Sequence, residues 1–145
     1  MKPNPALARL SRVVGKWTTI GKHPYFPGKT LHGWAAFEWI EGGAFLVMRT
    51  KMEDPEVPAG VAILGTDDKQ GDAFMLYFDE RVVSRKYDVA IHEDGLSWSR
   101  SAPGFSQRFR VTIGHDSRTM EGRGEMSKDG SPWEKDLDQS YTRAP

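Results

Sequence analysis

Histidine side chains, which serve acid–base catalysis and metal binding, are few and scattered in this chain. The four histidines are His23, His32, His92 and His115. His23 precedes a proline, and His92 and His115 stand beside acidic residues at expected hairpin turns. A tetrahedral zinc site needs converging ligands, and neither H-x-H nor H-E-x-x-H occurs. The sequence therefore predicts surface histidines and no metal site.

One histidine has a neighbour with which it could share acid–base chemistry. His32, Trp34 and Glu38 fall on one face of an expected strand, because side chains alternate between the two faces of a strand. A buried His–Glu pair could act as a general acid and base, and Tyr87 is a further candidate. The alternative is an outer face of mixed polarity, with Trp34 packed under a helix. The sequence favours this alternative, so no catalytic residue is predicted.

Other classes of function are excluded by what the chain lacks. It has no cysteine, which excludes disulfides, cysteine-ligated zinc and a cysteine nucleophile. The G-x-S-x-G, P-loop and G-x-G-x-x-G motifs are absent. Basic and acidic residues number 20 each, so the net charge is zero, whereas nucleic-acid binders normally carry a basic excess. We therefore expect no nucleic-acid partner and no cofactor.

Aromatic residues make up 11% of the chain, which suits a sheet core or the wall of an apolar cavity. One face of two expected strands is interpreted as the cavity wall, because it combines aromatic side chains with one cation: Phe37, Trp39, Phe45, Val47 and Arg49. Ligand pockets are mostly apolar with a few placed polar groups. Such a wall suits an apolar ligand that bears a carboxylate.

Arginines inside expected strands offer the polar end of such a site, because a guanidinium pairs bidentately with a carboxylate. An inward arginine needs an acidic residue or a ligand as partner, since a buried lone charge is costly. The alternative is ion pairing on the outer surface with Glu121, Glu125, Glu134, Asp136 and Asp138. The residues predicted to bind a ligand are Phe37, Trp39, Phe45, Arg49, Tyr77, Arg85 and Tyr87.

The first secondary-structure element expected in the chain is a short helix. Asn4-Pro5 is a favourable start, because asparagine caps helices and proline suits the first helical position. Leu7, Leu10 and Val14 follow at helical spacing as an apolar stripe, and Gly15 is a plausible stop. The helix is expected to close one end of the structure that follows.

Short strands joined by tight turns account for the rest of the chain. No helix is long enough to connect parallel strands, so the strands are expected to be antiparallel. The pattern predicts an all-β, up-and-down barrel of about ten strands, with a sandwich as the less favoured alternative. Closure removes unpaired strand edges. The expected strands are 17–20, 29–41, 44–52, 60–65, 73–79, 82–92, 96–100, 105–113, 118–127 and 133–143.

Location can also be anticipated from the sequence. No apolar run approaches ~18 residues, the length of a membrane-spanning helix. The N-terminus lacks the apolar core of a signal peptide. A cytoplasmic protein without membrane contact is therefore expected.

An ordered set of residues resembles the calycin group, which includes lipocalins, fatty-acid-binding proteins and nitrobindins. The set starts with Gly15-Lys16-Trp17 and continues with Asp79, Ser84-Arg85, Tyr87, Arg108-Phe109, Ser127-Lys128-Asp129-Gly130, Trp133, Asp136 and Tyr141-Thr142-Arg143. The chain is most similar to a lipocalin-like bacterial domain family of unknown function. The resemblance implies one barrel domain over residues 1–145 with an internal cavity, and it implies no established activity.

Haem binding is considered only because of this resemblance, since nitrobindin-like barrels bind haem through a histidine late in the chain. This sequence has no histidine after His115. His32 is the alternative axial ligand, since haem iron takes a proximal histidine in many proteins.

Three functions stay open. The first is a carrier or sensor for a small apolar or amphipathic molecule, anchored by Arg49 or Arg85. The second is an enzyme that uses the cavity for acid–base chemistry. The third is a structural or oligomerising protein, for instance a homodimer, whose barrel is filled by its own side chains. A filled barrel would contradict the first two.

Overall fold

Ten antiparallel strands close into a barrel, which confirms the predicted fold class. The computed structural model describes all of residues 1–145. Each strand pairs with the next, and β1 pairs with β10 to complete the circle. No helix in the structure has the length and apolar character needed to cross a membrane. The strands are β1 Gly15–Lys22, β2 Leu31–Ile40, β3 Phe45–Met52, β4 Gly60–Thr66, β5 Ala73–Asp79, β6 Val83–His92, β7 Gly95–Arg100, β8 Phe105–Ile113, β9 Thr119–Lys128 and β10 Glu134–Arg143.

The N-terminal helix, Ala8–Val13, is a 3₁₀ helix; a single 3₁₀ turn, Glu41–Gly43, also connects β2 to β3. A 3₁₀ helix has three residues per turn, so residues three apart lie in one line. Leu7, Leu10 and Val13 form that line and are buried. The sequence predicts Val14 in this stripe, on the spacing of an α-helix. In the 3₁₀ helix Val13 takes that place, and Val14 is only half-buried.

Trp17 and Arg143 join the helix to the first and last strands. Trp17 is fully buried, and its Nε1 donates a hydrogen bond to the Val13 carbonyl oxygen at 2.9 Å. The Arg143 guanidinium lies 4.2 Å from the centre of a Trp17 ring. It also donates hydrogen bonds of 2.7, 2.7 and 3.0 Å to the carbonyl oxygens of Arg12, Val14 and Ser117. The bonds to Arg12 and Val14 satisfy carbonyl groups at the helix end, where the helix itself leaves acceptors free; the bond to Ser117 ties the same guanidinium to the β8–β9 loop.

Side chains fill the half of the barrel nearest the helix. The largest fully buried ones are Trp17, Leu7, Leu10, Leu46, Leu64, Met75, Leu96, Met120, Val13 and Val111. The opposite end of the barrel, called the open end below, is formed by the loops 23–30, 53–59, 80–82, 101–104 and 129–133. The helix therefore closes one end only, and any ligand must enter from the other.

Candidate functional site

A cavity of about 240 Å³ occupies the half of the barrel towards the open end. Its apolar wall includes Met48, Met75, Trp98, Phe109 and Tyr141. The rings of Trp98 and Phe109 are stacked with centroids 4.8 Å apart. Pockets that enclose drug-sized molecules measure ~300–1,000 Å³, so this cavity suits a smaller molecule.

Cationic residues outnumber acidic ones around the cavity, where Asp136 is the only carboxylate. Arg81 and Arg108 are ion-paired, with Asp79 at 2.7 Å and Glu125 at 2.8 Å respectively. Arg85 is half-buried and has no acidic partner. The cationic residues that line the cavity are Lys51, Arg81, Arg85 and Arg108.

Gln107 connects Arg85 to Asp136. Its Oε1 accepts hydrogen bonds from Arg85 Nη1 at 2.9 Å and from the Tyr87 hydroxyl at 2.8 Å. Its Nε2 donates to Asp136 Oδ2 at 2.9 Å. Burial raises the pKa of Tyr87, so the phenol keeps its proton and stays a donor. These three bonds fix the orientation of the Gln107 amide.

A β-bulge in β10 turns Asp136 into the barrel. The pairing register of β10 with β9 shifts between Lys135 and Asp138. The bulge lies against Gly124, where a Cβ atom would stand 2.7 Å from the Leu137 carbonyl oxygen. A bulge re-aims side chains by adding a residue to one strand. Strict alternation of side chains predicts that Asp136 faces outward as an ion-pair partner on the surface. The structure differs because of the bulge, which no feature of the sequence marks.

His23 completes the network at the open end. Its Nδ1 accepts a hydrogen bond from the Tyr25 amide at 3.0 Å, so the ring proton is on Nε2, which donates to Asp136 Oδ1 at 2.7 Å. Burial raises the pKa of Asp136, but the hydrogen bonds from His23 and Gln107 outweigh burial and lower it. Both imidazole nitrogens are engaged, so the pair tethers the β1–β2 loop to β10.

Neither His23 nor His32 is placed to bind a haem inside the barrel or to form a buried pair with Glu38. An axial ligand needs a nitrogen with a free lone pair, and His23 has none. His32 and Glu38 are exposed on the outer face of β2. Trp34 does not pack under a helix; the Lys16 ammonium lies 5.2 Å from its ring. No group of acidic, histidine or cysteine side chains converges as a metal site.

A second polar cluster lies at the end of β5. The Tyr77 hydroxyl donates to Asp79 Oδ2 at 2.7 Å, and Arg81 donates to both oxygens of the same carboxylate. Burial raises the pKa of Asp79, but the bonds from Arg81 and Tyr77 reverse this effect and lower it to about 2. Burial, followed by the bond to Asp79, raises the pKa of Tyr77. Tyr77 is therefore a hydrogen-bond donor at the cavity wall and not a base.

Three of the residues selected from the sequence line the cavity together: Tyr77, Arg85 and Tyr87. Phe37 is buried inside the barrel, and Trp39 packs against the same core, but neither lines the cavity. These two aromatic residues belong to the filled half.

Phe45 and Arg49 lie on the outer surface, contrary to the expected single wall of β2 and β3. Strand pairing sets Phe37 opposite Met48, and residues directly opposite share a face. Val47, Phe45 and Arg49 therefore face outward. A one-residue offset in register moves every side chain of a strand to the other face, and the sequence did not reveal this offset.

Gln107, His23 and Gln139 were not selected from the sequence, although one signal was present. Gln107 is a polar residue in an alternating apolar series with Phe105 and Phe109. A polar side chain at an inward position needs a buried partner. Gln139 carries the same signal between Leu137 and Tyr141. His23 carries none, because it lies in a loop.

No protein-family model matches the chain, and no curated protein matches it. Among solved structures the chain is similar to the crystal structure of Rv2717c from M. tuberculosis. The TM-score is 0.66 at 16% sequence identity, over 99% of this chain and 100% of that chain. A likeness at this level of identity shows that the two chains share a fold, which here is the closed antiparallel barrel over the whole length.

Proposed function

We propose that this protein is a calycin-like carrier or sensor that binds a small amphipathic anion inside the barrel. The observation that carries the proposal is Arg85, a half-buried cation on the cavity wall with no acidic partner. Only one of its nitrogens, Nη1, donates a hydrogen bond within the protein. A partly desolvated charge is stabilised by a counter-charge, and a guanidinium pairs bidentately with a carboxylate.

The rest of the cavity supports an apolar body for the ligand. Met48 and Met75 are flexible and polarisable, so they adapt to the shape of a bound molecule. The stacked Trp98 and Phe109 rings add a flat surface against which an aromatic ring packs well. The small volume favours one ring with a short chain.

The proposal is tested by titration calorimetry with two probes of nearly equal shape, 3-phenylpropionate and the uncharged 3-phenylpropanamide. We expect the carboxylate to bind at least ~10-fold more tightly, because hydrogen bonds to a charged group contribute ~1.5–3 kcal/mol. Arg85→Met should remove this preference. Arg49→Met, a change of the same type on the outer surface, is the control and should retain it. Equal affinities for the two probes, or loss of the preference in the control alone, would contradict the proposal.

A further inference from the structure

Gln139 lines the cavity with a side chain whose amide oxygen is buried and unused. Its side chain lines the cavity, the residue is 4% exposed, and its Oε1 has no hydrogen-bond partner. Thr19 is 2% exposed, and its Oγ1 is also without a partner. In the β1–β10 pairing Thr19 stands opposite Tyr141, the inward residue next to Gln139. Two unsatisfied oxygens therefore lie on adjoining positions of one inner surface, although buried polar groups are nearly always satisfied.

The two residues paired directly with Gln139 offer its amide no side-chain donor. Gln139 is paired with Gly21 on β1 and with Gly122 on β9. A Cβ atom at Gly21 would stand 3.4 Å from Gln139 Oε1, so the amide oxygen lies over the glycine. The directly paired residues therefore leave this oxygen without a partner, and the nearby Thr19 hydroxyl makes no hydrogen bond to it.

We propose that Gln139 binds a hydroxyl group of the same ligand whose anionic group pairs with Arg85, which makes the ligand a small aromatic hydroxy acid. This inference rests on the proposed function. Gln139 is on β10 and Arg85 is on β6. These strands are four apart in one direction around the ring of ten and six apart in the other, so the two groups meet opposite ends of a bound molecule.

The chemistry around Gln139 favours a hydroxyl over a charged donor. Thr19 and Tyr141 are uncharged, and both oxygens of Asp136, the carboxylate of the cavity, are already bonded to His23 and Gln107, which disfavours an ammonium. A hydroxyl both donates and accepts, and it therefore satisfies the amide in either orientation of its oxygen and nitrogen. The stacked Trp98 and Phe109 rings supply the surface for the ring that joins the two polar groups.

The test compares 3-phenylpropionate with 3-(4-hydroxyphenyl)propionate by titration calorimetry. We expect the hydroxylated probe to bind ~10-fold more tightly to the unmodified protein, the effect of one buried hydrogen bond. Gln139→Leu should equalise the two affinities while still binding 3-phenylpropionate. Gln70→Leu, at an exposed turn, is the control and should keep the tenfold difference.

The outcomes separate this inference from the proposed function. Arg85→Met should weaken both probes and leave the hydroxyl preference in place. Equal affinities for both probes in the unmodified protein would overturn the role of Gln139 and leave that of Arg85 intact. If neither probe binds, both proposals are overturned.

Thermal unfolding without ligand gives an independent readout. Gln139→Leu removes an acceptor that has no partner, so its Tm should equal or exceed that of the unmodified protein. A Tm lower by more than about 5 °C would assign Gln139 to the support of the fold and would overturn the inference.

Discussion

Arg85 and Arg143 both lie on the inner surface of the barrel, but they meet different surroundings. Arg143 donates to three backbone oxygens and covers Trp17. Arg85 donates one hydrogen bond, to Gln107. A guanidinium has five N–H donors, so Arg143 is largely satisfied by the protein and Arg85 is not. We therefore propose that the first stabilises the fold and that the second binds the ligand.

Replacing Arg143 should destabilise the barrel. Arg143→Met leaves the carbonyl oxygens at the end of the 3₁₀ helix without donors, and we expect the free energy of unfolding to fall by about 2–4 kcal/mol. Urea denaturation measures this change. Arg123→Met is the matched control, because Arg123 is exposed and its surface ion pair contributes little. An equal loss in both variants would refute the structural role of Arg143.

Asp79 should make stability depend on acidic pH. Its folded-state pKa is lowered from 3.8 to about 2, so the carboxylate stabilises the fold fully above pH 4. That contribution is lost as the pH falls from about 4 towards 2. The free energy of unfolding measured across this range should therefore decline less steeply in Asp79→Asn than in the unmodified protein. Asp68→Asn, in an exposed turn, is the control, and identical slopes in all three proteins would contradict the assignment.

The residue positions that the sequence could predict are those governed by simple alternation. Arg85 and Tyr87 alternate with polar neighbours, Tyr77 alternates with the exposed Leu76 and Phe78, and all three line the cavity. Asp136 breaks alternation through the bulge, and Arg49 was assigned to the wrong side of the sheet because register is a property of two strands. No single strand contains the information needed to place these two residues.

At the scale of elements, the bulge of β10 is the feature that builds the site. It directs Asp136 towards Gln107 and His23, and so links β8, β10 and the β1–β2 loop. The bulge requires glycine at position 124 of β9, because any side chain there would clash with the backbone of Leu137. The strands themselves were predictable from turn residues and alternation, and the bulge was not, because it depends on contact with Gly124.

Gly124→Ala should disturb the bulge. The added methyl group would lie 2.7 Å from the Leu137 carbonyl oxygen, so the backbone of β10 must move. We expect a loss of about 1–3 kcal/mol in the free energy of unfolding and a change in the NMR signals of the His23 ring. Gly65→Ala is the control, because its nearest neighbours are at an ordinary contact distance of 3.4 Å. An unchanged His23 ring in Gly124→Ala would show that the bulge does not hold the network.

At the scale of the whole molecule, the barrel has a filled half and a hollow half. Hairpin turns and the need to remove strand edges predict closure, and the apolar stripe of the first residues predicts which end is sealed. The division of the interior was not predictable, because it depends on which inward side chains are large at each level of the barrel. Met48 and Gln139 line the cavity, whereas Phe37 and Trp17 lie in the packed half.

The account rests on ligand binding in the hollow half, and NMR titration of the ¹⁵N-labelled protein with 3-phenylpropionate tests it most directly. We predict that the amide signals of Tyr87, Gln107 and Asp136 shift on binding, while those of Leu10 and the Trp17 indole stay in place. Shifts confined to the outer surface around Arg49, or no saturable shift at all, would contradict a binding site inside the barrel.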